Sequence, residues 1–388
     1  MSDPHVAGKA AVEPATVDQS AVGPASASPA PGTRIAFDAV WTGTGFLPPT
    51  VYELVGDRLH RTDLPVTAAS AHPGGTLFPR LTDHHTHLGL TDRRAVFSGG
   101  ITHAVDLGWV PSVAASWLAE DAALRHPAAA IAGALITAPG GYPVNAGWGP
   151  PGSSAEVGGP REARQAVREQ LMRGASRIKV TLNTEAGETV DDATLAALVE
   201  EAHAAGVPVT VHVQGDGQTA RAVRAGADQL AHTPFTERVD DELVREAVRR
   251  GMTWVTTLDI HGWGDPTPQH GIALDNLRRF TSAGGRALYG TDLGNGPLPD
   301  GVDARELGGM VEAGMTTAAI LQAIAGSHPR HETVGPRLAW VPTPPPGADS
   351  PGEVDAALPA SAVPAWLATA RGLLATDFTT PTPTEDAA

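Results

Sequence analysis

Cysteine is absent from this chain of 388 residues, which excludes disulfides, thiolate metal sites and cysteine nucleophiles together. Any metal must be held by nitrogen and oxygen. Positive charge is scarce too: 27 Lys and Arg face 43 Asp and Glu, a formal net charge of -16. That balance disfavours a nucleic-acid partner or an anionic membrane surface. No run approaches the roughly 20 apolar residues needed to cross a bilayer. The first residues show no basic start followed by an apolar core, so no secretory signal is read and a cytoplasmic protein is expected. With 41% hydrophobic residues, the composition is that of a globular protein, and the length suits one large catalytic domain with attachments or two medium ones.

Residues 1–32 are rich in Ala, Pro and Ser and poor in large apolar side chains, and read as a disordered tail. TRIAFDAVW and TVYELVGDRLHRTD then alternate apolar and polar residues around Gly56-Asp57, which predicts two or three short antiparallel strands. Together with PRLAWVPTPPP from Pro336 they are expected to form a small, abbreviated β subdomain from both chain ends, residues 33–74 and 331–346. Residues 347–388 read as a Pro-rich tail with one helix in AVPAWLATARGLLA. Across residues 75–330 short β-type runs alternate with helical ones. HHTHLGL, GITHAVDLG, AAIAGALITAPG, SRIKVTL, VPVTVHVQG, ADQLAHTPF, MTWVTTLDI and RALYGTDLG are the strands, and helices such as DDATLAALVEEAHAAG open on Asp and close on Gly. This alternation predicts an α/β fold, a (β/α)8 TIM barrel, whose active site lies at the carboxyl ends of its strands.

Side chains alternate between the two faces of a strand, so the polar residues can be sorted. Asp83, His85 and His87 share a face; so do Arg177, Lys179 and Thr181; Thr210, His212 and Gln214; Leu230 and His232; and Leu288, Gly290 and Asp292. The valines of VPVTVHVQG and the aliphatic residues of SRIKVTL take the opposite face and are expected to pack on helices. Imidazoles and a carboxylate converging at strand ends suit a hard or borderline cation. His85 and His87 can reach one metal, His212 and His232 a second, and Asp292 can both ligate and accept a proton. Lys179 is the odd member: it is deprotonated, or carries a carbon dioxide adduct as a bridging carboxylate, or pairs with a carboxylate such as Asp292. Asp83 is expected to orient a ligand histidine rather than to ligate. His84 falls on the opposite face. The loop PGGYPVNAGWGPPGSS carries no GK[ST] and is not a phosphate loop. Its Tyr142, Asn145 and Trp148, with His261 and Trp263 after the seventh strand, either line a substrate pocket or pack the loops. Arg93, Arg94 and Arg177 are the candidate partners for a substrate carboxylate.

The constellation resembles the amidohydrolase superfamily of metal-dependent hydrolases: Asp83-x-His85-x-His87, then Lys179, His212, His232 and Asp292 in chain order. Phrases such as AAGVPVTVHVQG and ALYGTDLGN look like its imidazolonepropionase-like branch, which includes prolidase-type dipeptidases. His103 has no counterpart there. The resemblance implies two bound divalent metals, usually zinc, with one zinc, or manganese or iron, as alternatives, and carbon dioxide bound as a carbamate on Lys179. It implies a hydrolase acting on an amide-type C–N bond of a small molecule (a cyclic amide, an N-acyl amino acid or an X-Pro dipeptide), with Asp292 as general base and then acid. A lactonase, esterase, phosphotriesterase or deaminase on the same metals, and a non-catalytic binding protein, are the rival readings. A homodimer is the base-rate expectation. The flanking β structure looks shorter than the β sandwich usual in the family.

Overall fold

The computed structural model describes residues 32–326, 331–347 and 358–379. Residues 1–31 of the expected amino-terminal tail, and 348–357 and 380–388 of the Pro-rich end, lie outside the described residues. Two parallel sheets carry the candidate site. Seven strands run in the order Ser154–Glu156, Leu135–Thr137, Ile178–Asn183, Val209–Gln214, Gln229–Leu230, Thr253–Val255 and Arg286–Leu288, all parallel to their neighbours. Three more, Thr82–Thr86, His103–Asp106 and Ala128–Ile131, form a second parallel sheet.

The expected third strand is broken in the middle. Ala128–Ile131 pairs with His103–Asp106, while Leu135–Thr137 pairs with Ile178–Asn183, so one stretch of chain belongs to both sheets. Gly133 makes the offset with a φ of +75°, and a Cβ there would meet Gln170 Oε1 at 2.1 Å, so glycine satisfies both backbone and space. At the other margin His84 N–H donates to Tyr289 O (2.9 Å), His87 N–H to Leu293 O (2.8 Å) and Leu293 N–H to His85 O (3.3 Å). Chain following the last strand therefore runs beside the first.

Alternation works as anticipated in the central strands. Ile178, Val180, Leu182, Val209, Val211 and Val213 are buried in one apolar cluster with helix residues such as Leu195, Leu198 and Val223. Each such burial is worth about 1.5–3 kcal/mol, and a one-residue slip would exchange all of them for Lys179, Thr181, Thr210 and His212. Register is therefore fixed. Helix Asp192–Ala204 begins where the sequence signal places it, with Asp191 accepting from Thr194 N–H (2.7 Å).

The flanking β structure is larger than the short alternating runs suggest. Five strands precede residue 62: Arg34–Phe37, Ala39–Trp41, Phe46–Leu47, Thr50–Val55 and Arg58–Arg61. They divide between a four-stranded sheet, completed by Thr333–Val334, and a five-stranded sheet with Thr76–Phe78, Arg337–Val341 and Arg371–Leu374. Ile35, Phe37, Tyr52 and Leu59 of the first pack against Val40, Leu77 and Leu338 of the second. The carboxyl-terminal helix covers only Val363–Leu367, and Arg371–Leu374 is a strand paired antiparallel with Arg337–Val341. Gly372 explains the switch. It disfavours helix, and its backbone passes Phe97 so closely that a Cβ would lie 2.1 Å from the carbonyl oxygen.

Candidate metal centre

His85 and His87 at the carboxyl end of the first parallel strand face Asp292, which follows the last. His85 Nε2 lies 3.0 Å and His87 Nε2 3.2 Å from Asp292 Oδ1, and all three side chains are buried. The tautomers follow from the other ring nitrogens. His85 Nδ1 is 2.8 Å from Ala231 O and His87 Nδ1 is 3.0 Å from Gly108 O; a carbonyl only accepts, so both Nδ1 atoms carry the proton. In their neutral forms both rings aim an Nε2 lone pair at a carboxylate oxygen. Neither His85 Nε2 nor Asp292 Oδ1 has a hydrogen-bond partner among the described residues. An electron-rich pocket of orphaned donors needs a proton or a cation at its centre. The spacing fits a metal, since nitrogen and oxygen ligands about 2.0–2.1 Å from a tetrahedral zinc stand roughly 3.3 Å apart.

Local sequence makes this geometry. In GTDLGN, Gly290 lies so close to the first strand that a Cβ would be 2.9 Å from His85 N, and Gly294, at φ +108°, would meet His87 Cβ at 3.3 Å. Between them Asp292 sits at φ +59°, a left-handed conformation unusual for a non-glycine residue. Asn295 Nδ2–H donates to Asp292 Oδ2 (3.1 Å), which leaves Oδ1 to the histidines. Asp83 is fully buried. Its Oδ1 accepts from His85 N–H (2.9 Å) and Thr291 N–H (3.2 Å), and its Oδ2 from the Thr291 hydroxyl (2.6 Å), so it ties together the two segments that carry the donors.

His212 and His232 adjoin this trio without joining its cluster of ligand atoms. The His85, His87 and Asp292 donors lie within 4.8 Å of one another; the His232 ring is centred 4.6 Å from His85 and 4.8 Å from His212. His232 Nδ1 bonds the Thr257 hydroxyl (2.9 Å) and His212 Nε2 bonds Gln214 Oε1 (3.2 Å), leaving Nε2 of His232 and Nδ1 of His212 for a ligand. Lys179 is 2% exposed. Asp292 makes its close contacts with His85 and His87, and acts on Lys179 only as a charge at longer range.

The electrostatics follow from burial and neighbours. Burial raises the Asp292 carboxyl, but His85 and His87 outweigh it and hold the group well below the usual carboxylate range. Burial pushes His85 down to about 4, His212 to about 3 and His232 well below its ordinary value. Against its own burial, His87 is raised by Asp292 and Asp106. Burial also lowers the Lys179 ammonium to about 7, opposed by Asp292 and Asp106, and raises Asp83 to about 7. His85, His212 and His232 held neutral and Asp292 held ionised are in the protonation states that metal ligands require, whereas His87, drawn toward its charged form by Asp292, must give up a proton to a cation that binds there.

Of the pocket candidates, Tyr142 stacks on His212 (5.2 Å between ring centres, 24° between planes) and Trp148 packs on His87 (4.7 Å). Asn145 is exposed on the same loop. His261 is buried 4.1 Å from Phe235, which packs 6.1 Å from His232, and Trp263 covers Gly296 in the loop beyond Asp292. None of the three candidate cations is brought here. Arg93 pairs with Glu120 (2.8 Å), Arg94 is exposed, and Arg177 stands at the amino end of its strand. His84 lies away from the trio, along a separate cavity with Arg177, and burial pushes it down to about 3. His103 bonds the Thr102 hydroxyl.

Pattern reading passes over Asp106, Thr257, Thr291 and Asn295. Asp106 accepts from Leu88 N–H (2.8 Å) and Gly108 N–H (3.2 Å), shaping the turn whose carbonyl holds His87. A signal existed: Asp106-Leu107-Gly108 repeats the Asp292-Leu293-Gly294 triplet at the end of another strand, and both glycines meet His87.

Residues 76–322 match the family model described as amidohydrolase family. The ochratoxinase of Aspergillus niger is 28% identical over 213 residues, 49% of this chain and 42% of that protein. The chain thus spans about two fifths of the length of the curated relatives it matches. Among solved structures, the A. niger ochratoxinase superposes with a TM-score of 0.62 at 21% identity, covering 76% of this chain and 83% of that one. A Xaa-Pro dipeptidase with bound methionine in its active site gives 0.62 at 20% identity, covering 79% and 93%. No helix among the described residues is long and apolar enough to cross a membrane.

Proposed function

The chain belongs to the amidohydrolase family, and from that premise we propose that it hydrolyses an amide-type C–N bond of a small molecule, with Asp292 moving the proton. The observation that carries this reading is the buried trio His85, His87 and Asp292, whose ligand atoms converge on one point, with His85 Nε2 and Asp292 Oδ1 left without a hydrogen-bond partner among the described residues. In this reading the two parallel sheets make one (β/α)8 barrel, with the divided third strand counted once and Ser154–Glu156 as an addition beside it, supported by the backbone bonds of Tyr289 and Leu293 to the first strand. Its carboxyl-terminal end is where such barrels place their chemistry.

His85, His87 and Asp292 would hold one divalent cation, and His212 and His232 would serve a second, with Lys179 as a further ligand if carboxylated. A cation bound there lowers the pKa of water to about 7 and polarises a substrate carbonyl. The chain's own residues do the rest. Asp292, kept ionised and steered by Asn295, takes the proton from the attacking water and returns it to the departing nitrogen. Lys179, at about 7, is largely stripped of the barrier to being a neutral amine, the form that takes up carbon dioxide to become a bridging carbamate. Tyr142, stacked on His212, and Trp148, tilted against His87, would exclude water and seat an aromatic or apolar part of the substrate. The ochratoxinase and the Xaa-Pro dipeptidase among the neighbours are consistent with an amide bond.

The test is a mass-spectrometric screen of the zinc-loaded chain against N-acyl amino acids, X-Pro dipeptides, cyclic amides, lactones, phosphotriesters and aminopurines, with a chelated control. Chelator-sensitive cleavage of an amide supports the proposal. Loss of ammonia or cleavage of an ester alone would move the activity to a deaminase or esterase, and no turnover with no metal bound would remove the enzymatic reading.

A further inference from the structure

We infer that the chain has a second binding site, for a phosphate group, at the end of the parallel strands opposite the metal centre, built by Arg80, Arg177 and Arg286. A cavity of about 1010 Å³ opens there, lined by the residues that begin the strands: Thr82, Arg177, Gln229, Thr253 and Arg286. His85, His87 and Asp292 lie toward the other end of the strands, while Lys179 stands two residues along the chain from Arg177 and His84, on the cavity lining, precedes His85.

Three guanidinium groups share this cavity, and none forms an ion pair among the described residues. Arg177 is the deepest. It donates Nη1–H to Gln229 Oε1 (3.2 Å), an oxygen that also takes the Thr210 hydroxyl (2.9 Å), and its Nε is buried with no hydrogen-bond partner among the described residues. Burial lowers its pKa to about 10 with no carboxylate opposing, and lowers Arg80 in the same way. Arg80 and Arg286 are exposed at the rim. The one carboxylate along the lining, Asp228, is already engaged: its Oδ2 accepts from Val209 N–H (2.7 Å) and lies 2.9 Å from His203 Nε2.

Clustering three unpaired arginines costs free energy through mutual repulsion and, for Arg177, through desolvation, in a chain whose net charge is -16 and where carboxylates are plentiful. An anion removes that cost. Guanidinium forks match tetrahedral oxyanions bidentately, and the volume exceeds one phosphate and leaves room for the organic part of a small phosphate ester.

The experiment is calorimetric titration of the metal-loaded full chain with inorganic phosphate and with glycerol phosphate, at ionic strength held constant with sodium chloride, and again after metal removal. Saturable binding is expected in both states, at least fivefold weaker in Arg286→Gln and weaker still in Arg80→Gln/Arg286→Gln, rim changes that leave the packed interior intact. Tighter binding of the ester would identify an organic phosphate as ligand, and equal binding the free ion. Absence of saturable binding, loss of binding on metal removal, or unchanged affinity in the double variant would each overturn the inference.

Discussion

Replacing Asp83 separates positioning from ligation. Its carboxylate is 0% exposed and accepts three hydrogen bonds, two at Oδ1 from the backbone of His85 and Thr291 and one at Oδ2 from the Thr291 hydroxyl. Asp83→Ala leaves two buried N–H groups without an acceptor, while the hydroxyl can rotate toward another. At about 1–3 kcal/mol for each stranded donor, less the relief of no longer burying a carboxylate raised to about 7, the variant should lose about 3 kcal/mol of stability. Because the stranded donors belong to His85 and to the residue before Asp292, metal affinity should fall by about 10–100-fold as well. Asp83→Asn is the informative partner. Its carbonyl can occupy the Oδ1 position and keep both backbone bonds, and its amide can donate to a reoriented Thr291 hydroxyl, so its cost should be about 1 kcal/mol. Urea denaturation of the metal-free chain and competition titration with a zinc chelator measure the two effects. An Ala variant as stable as the parent, or an Asn variant as damaged as the Ala, would refute the reasoning.

Asp292→Asn removes the proton carrier and should lower kcat by about 10²–10⁴, read by single-substrate kinetics, while mass spectrometry still finds metal bound. Lys179→Ala should lower metal occupancy, measured by elemental analysis, and short carboxylic acids should restore part of the activity if the lysine is carboxylated; unchanged occupancy would favour an uncarboxylated amine. Gly290→Ala forces a Cβ to 2.3 Å from Val255 Cγ1 and 2.9 Å from His85 N, and should cost about 2–3 kcal/mol in denaturant unfolding. Zinc added in hundredfold excess over its dissociation constant should stabilise the parent by about 2.7 kcal/mol, read as a shift in Tm, with little effect on His85→Ala.

What was legible in the sequence was what depends on period and spacing. Alternation sorted Val209, Val211 and Val213 from Thr210 and His212 because that strand is regular over six residues. The same rule is less secure in the first strand, where the register with His103–Asp106 shifts between Asp83 and Thr86. Asp292 was found as a chemical type at a strand end, but not its left-handed backbone, nor the glycines either side that admit His85 and His87. Those are contacts between segments more than 200 residues apart, which no local pattern encodes. For the same reason the nine strands of the two flanking sheets read as fewer: Phe46–Leu47 and Thr333–Val334 are two residues long, too short for any alternation to register. Alternation assigns Arg177 to the face of Lys179, but it is the fold that shows Arg177 just before its strand, lining a basic cavity two residues from Lys179.

The central claim is that His85, His87 and Asp292 surround a cation. Its most direct test is calorimetric zinc titration of the chelator-stripped chain beside the His85→Ala/His87→Ala double variant. The account predicts at least one tight ion per parent chain and its loss in the variant. A parent chain that binds no zinc, manganese or iron, or a variant that binds as the parent does, would contradict it.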